Sequence, residues 1–216
     1  MSSAFLEKLL DVLYPRGLAC ASCGREAVVG EYDLCGDCGS GIELFNAAPY
    51  LNNVSGYTAA FIYNDVSGRM VKRLKYSGKT YLAPTLAAAI ALPEDWNIDA
   101  VVPVPLHKNR VRERGFNQSE LIAAELCKRY GLELRPELLK RTEDTAQQAG
   151  LSGAQRRRML KNAFAASEEC HGLSLLLVDD VRTTGTTLAA CAAELVRRGA
   201  SRVYAATVCY SPNGDN

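Results

Sequence analysis

The spacing of apolar and polar positions predicts a chain that begins helical and ends as alternating strand and helix. Residues 2–14 form an amphipathic stretch with Glu7, Lys8 and Asp11 inside it, a helix stopped by Pro15 and Gly17. Residues 17–45 are too short and too polar to build a core of their own without a metal. From Gly56 onward the pattern changes. Residues 57–63 read as a strand, followed by a basic helix to about Tyr76 and a second helix over 82–92. Residues 99–104 form a short apolar strand ended by Pro103 and Pro105, and a loop over 106–116 follows. Asn117 to Glu120 gives a capping-box-like start to a helix reaching Tyr130, with Ile122, Leu126 and Tyr130 on one face. Residues 138–141 suit a short strand, and the polar stretch 142–152 suits a mobile segment. Residues 173–178 are apolar at successive positions, as in a strand buried on both sides within a parallel sheet. A helix over 187–198, closed by Arg197, Arg198 and Gly199, and a returning strand over 202–208 complete a βαβ unit.

This order predicts an α/β fold with a central, mainly parallel sheet flanked by helices. Three segments are expected: 1–48, an N-terminal helix and cysteine module; 49–210, the α/β domain; and 211–216, a disordered tail. A hydrophobic fraction of 48% and a charged fraction of 23% exclude a disordered or fibrous chain. No run approaches the ~18 apolar residues of a membrane span, so no membrane insertion is expected. The charges within 2–14 exclude a signal peptide, which makes the cytoplasm the expected location.

The net charge of +1 hides an uneven distribution. Residues 69–79 carry +5, 106–115 carry +3 and 155–162 carry +4, so the rest of the chain carries −11. These segments are either solvated faces or parts of a site for a polyanion, phosphates or nucleic acid.

Four of the eight cysteines form two CxxC pairs, Cys20 with Cys23 and Cys35 with Cys38, each followed by glycine and separated by eleven residues. Two such turns supply a tetrahedral set of four thiolates for a structural Zn2+, with no open position for a substrate. The alternative is two buried or redox-active pairs. Cys127, Cys170, Cys191 and Cys209 share no spacing and suit small core positions.

The densest chemistry lies between the strand over 173–178 and the helix over 187–198: Asp179, Asp180, Val181, Arg182, Thr183, Thr184, Gly185, Thr186 and Thr187. A strand delivers the chain to the carboxyl edge of a sheet, and the next helix offers unpaired N–H groups and a positive dipole end to an anion. Gly185 permits the tight turn, the threonines add donors, and two carboxylates accept from hydroxyls. A sugar with a phosphate at one end and a diol beside it fits both halves, as a ribose 5-phosphate does. The alternative is a helix cap with acidic decoration. The lysine of a Walker loop is missing.

Residues 175–188 resemble the 5-phosphoribosyl-1-pyrophosphate (PRPP) signature of type I phosphoribosyltransferases. Cys20–Cys38, the Lys72-Arg73-Leu74-Lys75-Tyr76 stretch, VPVPLHKNRVRERGFNQSE at 102–120 and RTEDTAQQAGLSGAQRRRMLKNAF at 141–164 together resemble the ComF family. That family joins an N-terminal zinc ribbon to a phosphoribosyltransferase domain and is linked in some bacteria to DNA uptake and natural transformation. The resemblance implies a type I phosphoribosyltransferase fold and a PRPP site. Thr183 to Thr187 would hold the 5-phosphate, with Val181 and Arg182 in the same stretch. Asp179 and Asp180 would hold the ribose hydroxyls and act as the catalytic carboxylates. Mg2+ would arrive with the pyrophosphate, and His107, Lys108, Arg110, Arg114 and Lys75 are the pyrophosphate candidates. Residues 142–152 would form a lid, and about 50–76 a hood over an unidentified acceptor. One departure stands out: where many such enzymes have a small glycine-containing pyrophosphate loop, this chain has Val104-Pro105-Leu106-His107. Three functions fit these residues. The first is transfer of 5-phosphoribosyl to a nitrogen nucleophile with release of pyrophosphate. The second is PRPP or nucleotide binding without turnover. The third is handling of single-stranded DNA, with the ribbon docking a competence helicase.

Overall fold

In the computed structural model, residues 18–143 and 163–212 are described. The expected helix over 2–14, nearly all of the 142–152 stretch, Arg156 to Arg158 with Lys161, and residues 213–216 lie outside them. A short helix, α1 (Gly36–Gly39), belongs to the cysteine module. The strands of the central sheet are β1 (Gly56–Ile62), β2 (Ala100–Pro103), β3 (Glu133–Leu134), β6 (Ser174–Arg182) and β7 (Arg202–Tyr210). They lie in the order β1-β7-β6-β2-β3, and every pairing is parallel. Leu176 stands opposite Val101 on one side and Tyr204 on the other. A separate antiparallel pair joins β4 (Leu139–Arg141) to β5 (Phe164–Ala166).

Alternation along the strands divides the core in two. Val101, Leu176, Val178 and Ala206 face one layer, against α2 (Asp65–Tyr76), α3 (Ala83–Ala88) and α5 (Gln118–Tyr130). Val102, Leu175, Leu177 and Ala205 face the other, against α6 (Thr186–Arg197) and the β4–β5 pair. Both faces are therefore covered, and Leu175 to Val178 of the inner strand β6 are apolar at every position, as all-parallel sheets require. Cys20, Ala21, Leu34, Cys35 and Cys38 join the first of these layers. Behind the cysteine module the chain runs beside β1, where Phe45 N–H donates to the Ala60 carbonyl and Ile62 N–H to that of Glu43.

The structure corrects four sequence expectations. The segment 106–116 is not a loop: it contains α4 (Lys108–Arg114). His107 caps its start by accepting from Asn109 N–H, and Gly115, with φ 84°, ends it in the left-handed conformation. The helix expected over 82–92 is shortened to α3, preceded by a 3-10 turn over Thr80–Leu82. The strand expected to stop at residue 178 continues to Arg182, which places both acids inside β6. Asn117 caps α5 through Ser119 N–H, with no reciprocal bond from Glu120.

Candidate functional site

The carboxyl end of β6, the turn 183–185 and the start of α6 form a cup of about 50 Å³, lined by Asp179, Val181, Arg182 and residues 183–188. Gly185 occupies the N-cap of α6 with φ 75°, and no side chain caps that helix through its N-cap residue. A β-carbon at Gly185 would be strained by this φ and would stand 2.7 Å from Leu51 Cδ1 and 3.1 Å from Arg182 Nε, so those side chains would have to shift. The Thr184 and Thr186 hydroxyls lie 2.8 Å apart across the mouth. The Thr184 hydroxyl accepts from Thr186 N–H at 3.4 Å, and the dipole of this twelve-residue helix favours an anion here.

Arg182 lies behind this turn. It is 4% exposed. Its Nη2 donates to the Pro49 carbonyl at 2.6 Å, and its guanidinium sits 4.4 Å from the Tyr57 ring centre and 5.3 Å from that of Tyr210. Nε and Nη1 are buried and have no hydrogen-bond partner among the described residues. A buried cation with two unsatisfied donors is costly unless negative charge lies nearby.

The two carboxylates reach different helices of the same layer. Asp179 accepts from the Ser119 hydroxyl at 2.8 Å, at the start of α5. Burial pushes its carboxyl above the ordinary range, opposed by the Lys75 and Arg141 charges and by that hydroxyl. Asp180 is 3% exposed; one oxygen accepts from Val181 N–H at 2.9 Å and the other forms an ion pair with Lys75, at the end of α2. Ser119 carried no signal of its own in the sequence; its position in the first turn of α5 is what brings it to the acid.

The predicted basic residues divide among three tasks. Lys75 meets Asp180. Arg114 bonds the Gln118 side chain and lies over the Tyr76 ring, 5.2 Å from its centre. His107 is buried, with Nδ1 spent on the cap of α4. Lys108 is exposed and Arg110 half-buried on that helix. The expected +5 cluster over 69–79 does not act as one: Arg73 Nη1 donates to the carbonyls of Cys20 at 2.7 Å and Ala21 at 2.9 Å, and Arg69 Nε to Ser22 Oγ at 3.1 Å.

Those bonds seat the cysteine module on α2. The Sγ atoms of Cys20, Cys23, Cys35 and Cys38 all lie within 4.8 Å of one another. A tetrahedral zinc with Zn–S of about 2.3 Å needs sulfur–sulfur edges of about 3.8 Å, and Cys23 and Cys35 stand 3.9 Å apart. The Arg25 guanidinium beside Cys23 draws that thiol down to about 6, while burial pushes Cys38 up to about 11. Four close sulfurs in this arrangement can hold a metal ion such as zinc. Cys127, Cys170, Cys191 and Cys209 are buried in the two core layers.

DNA utilization protein YhgH of Salmonella typhi is 33% identical to this chain, over 88% of the chain and 89% of that protein. The chain belongs to the ComF family. Competence protein F of Haemophilus influenzae is 29% identical, covering 78% of the chain and 80% of that protein. Competence protein ComFC of Bacillus subtilis is 27% identical, covering 85% and 73%. Within this ComF protein, residues 121–215 match the family model described as phosphoribosyl transferase domain, which spans α5, β6, α6 and β7. The parallel α/β sheet therefore has the phosphoribosyltransferase-type fold. No helix among the described residues is long and apolar enough to cross a membrane.

Proposed function

We propose that this protein binds PRPP at the β6–α6 turn and transfers its 5-phosphoribosyl group to a nitrogen nucleophile, releasing pyrophosphate. The cup carries the reading: a helix start with glycine at its N-cap, threonine hydroxyls beside it, and a buried guanidinium with two nitrogens that have no partner among the described residues. Thr183 to Thr187 hold the 5-phosphate and Asp179 faces the ribose hydroxyls. Asp180 sets the position of Lys75 through their ion pair. Lys108 and Arg110 are the pyrophosphate contacts on α4. The donors beside the cup are carboxylates and hydroxyls, an oxygen-only set that suits magnesium. Magnesium supplies charge neutralisation to the departing pyrophosphate; the chain's part is to bind, orient and shield the sugar. The four cysteines hold zinc, which fixes the module to α2 and takes no part in the transfer.

The relatives are named for DNA utilization and competence, which supports a second reading in which the same site binds PRPP without turnover while the ribbon engages single-stranded DNA or a helicase. A calorimetric titration with PRPP and magnesium tests binding, and a pyrophosphate-release assay across nitrogen nucleophiles tests transfer. Binding lost in Asp179→Asn/Asp180→Asn, with pyrophosphate released by the wild type, supports the first reading. Binding without release under every acceptor supports the second. No binding at millimolar PRPP removes both.

A further inference from the structure

A buried cation stands directly against the β6–α6 turn. Arg182 lines the cup, and its Nε is 3.1 Å from the position that a β-carbon on Gly185 would take. Its guanidinium rests on the rings of Tyr57 and Tyr210, and Phe45 packs edge-on against both, 5.5 Å from Tyr57 and 6.0 Å from Tyr210. The Tyr57 ring is fixed in turn by its hydroxyl, which lies 2.6 Å from Thr207 Oγ1. Phe45 and Pro49 precede β1, Tyr57 lies in β1 and Tyr210 in β7, so separate parts of the chain converge to hold one charge.

Rings and a carbonyl stabilise this cation without neutralising it. No carboxylate among the described residues pairs with it: Asp180 is committed to Lys75, and Asp179 is bonded to Ser119. A guanidinium does not shed its proton to escape burial. The charge of Arg182, with Nε and Nη1 unpartnered, is therefore left to a ligand of the turn. Coulomb energy is a product of charges, so a fixed buried cation holds a dianion more tightly than a monoanion of the same shape. Because the cage fixes Arg182 before a ligand arrives, this discrimination carries no ordering cost.

We propose that Arg182 is a specificity-determining residue, whose caged charge makes the turn select the dianion of a terminal phosphate monoester over singly charged groups, including the phosphodiesters within a nucleic acid strand. This rests on the phosphate reading of the turn and deepens it by naming the charge state of the ligand. It also separates the turn from any surface of the protein that tracks a DNA backbone.

Two esters of one shape test the charge alone. At pH 8 ribose 5-phosphate is a dianion, its second pKa being about 6, whereas ribose 5-sulfate is a monoanion. By isothermal titration without magnesium, the wild type is expected to favour the phosphate ester by at least about tenfold. Arg182→Gln keeps a polar group but no charge, and Arg182→Met fills the cage with neither. Both are expected to shrink the ratio by about tenfold, whereas Arg182→Lys keeps the charge and should stay within about threefold of the wild type. Cooperative thermal unfolding identifies the folded variants; if neither uncharged variant folds, the wild-type ratio decides. A wild-type ratio below about threefold, or one that the uncharged variants leave unchanged, overturns the role of Arg182 and leaves the phosphate turn standing. A ratio lost as fully in Arg182→Lys as in Arg182→Gln overturns it too, because charge is then not the cause. A wild type that binds neither ester overturns the phosphate reading, and this role with it.

Discussion

Replacing Lys75 with methionine isolates the electrostatic centre of the site. Asp180 is 3% exposed, and its side chain faces a lysine whose own side chain is only 20% exposed. Methionine keeps the length and apolar stem of lysine but removes the ammonium, leaving a buried carboxylate whose remaining bond is from Val181 N–H. Removing one partner of a buried pair costs about 3–5 kcal/mol. The cost has a ceiling, because an aspartate can take up a proton instead. For a carboxyl of ordinary pKa ~3.9, protonation costs about 4 kcal/mol at pH 7 and about 1.5 kcal/mol at pH 5. Lys75→Met is therefore expected to lose about 3–4 kcal/mol at pH 7, a fall in Tm of about 10 °C for a chain of this size, and only a few degrees at pH 5. The sign follows from which state needs the proton: the variant's folded state must acquire one, and acid supplies it. Adding Asp180→Asn to Lys75→Met should recover most of the loss at pH 7. Urea unfolding of the wild type, Lys75→Met, Asp180→Asn and the double variant at both pH values measures this. A loss below about 1 kcal/mol at pH 7, or one that does not shrink on acidification, refutes the argument that this pair is dry and mutually dependent.

Asp179→Asn should raise stability at neutral pH, because burial disfavours the charged carboxylate; the gain should fade as the pH drops through the raised value toward the ordinary carboxylate range, and PRPP-induced stabilisation should be lost with it, both read by thermal unfolding. Gly185→Ala forces a side chain into the left-handed region and against Leu51, and should cost about 2–4 kcal/mol in urea unfolding while abolishing phosphate binding. Arg73→Met leaves the Cys20 and Ala21 carbonyls without their shared donor; it should cost about 2 kcal/mol and speed the loss of zinc to a colorimetric chelator, whereas an unchanged rate would show that α2 does not support the cysteine turns.

The helix α2 shows where legibility in the sequence ends. Its end near Tyr76 and its basic character can be read from the sequence, yet its cations serve unrelated partners. Arg69 and Arg73 are four residues apart and share one face, which meets the cysteine turns. Lys75 lies about 200° further around the helix from Arg73 and reaches Asp180 instead. A charge sum over the segment averages these tasks into one. The segment before α5 errs the other way: the left-handed glycine that ends α4 and the histidine that caps it are local signals, outweighed on reading by the run of charges between them. The pairing of β4 with β5 had no such signal, because the two strands are separated by more than twenty residues and each is only three residues long.

What the chain alone determines here is the chemistry that depends on near neighbours: two CxxC turns that can share a metal, a strand buried on both sides, and a glycine among threonines at a helix start. Backbone dihedrals, capping and ligand geometry act over a few residues, so spacing suffices to state them. Only the packed structure decides that Asp179 and Asp180 meet different helices, that Ser119 reaches the first and Lys75 the second, and that Arg182 is enclosed with two nitrogens unpaired among the described residues. Those outcomes depend on the phase at which distant helices dock on the sheet and on which groups lose water there, and both come from the sum of all side-chain contacts across the core rather than from any short stretch of chain.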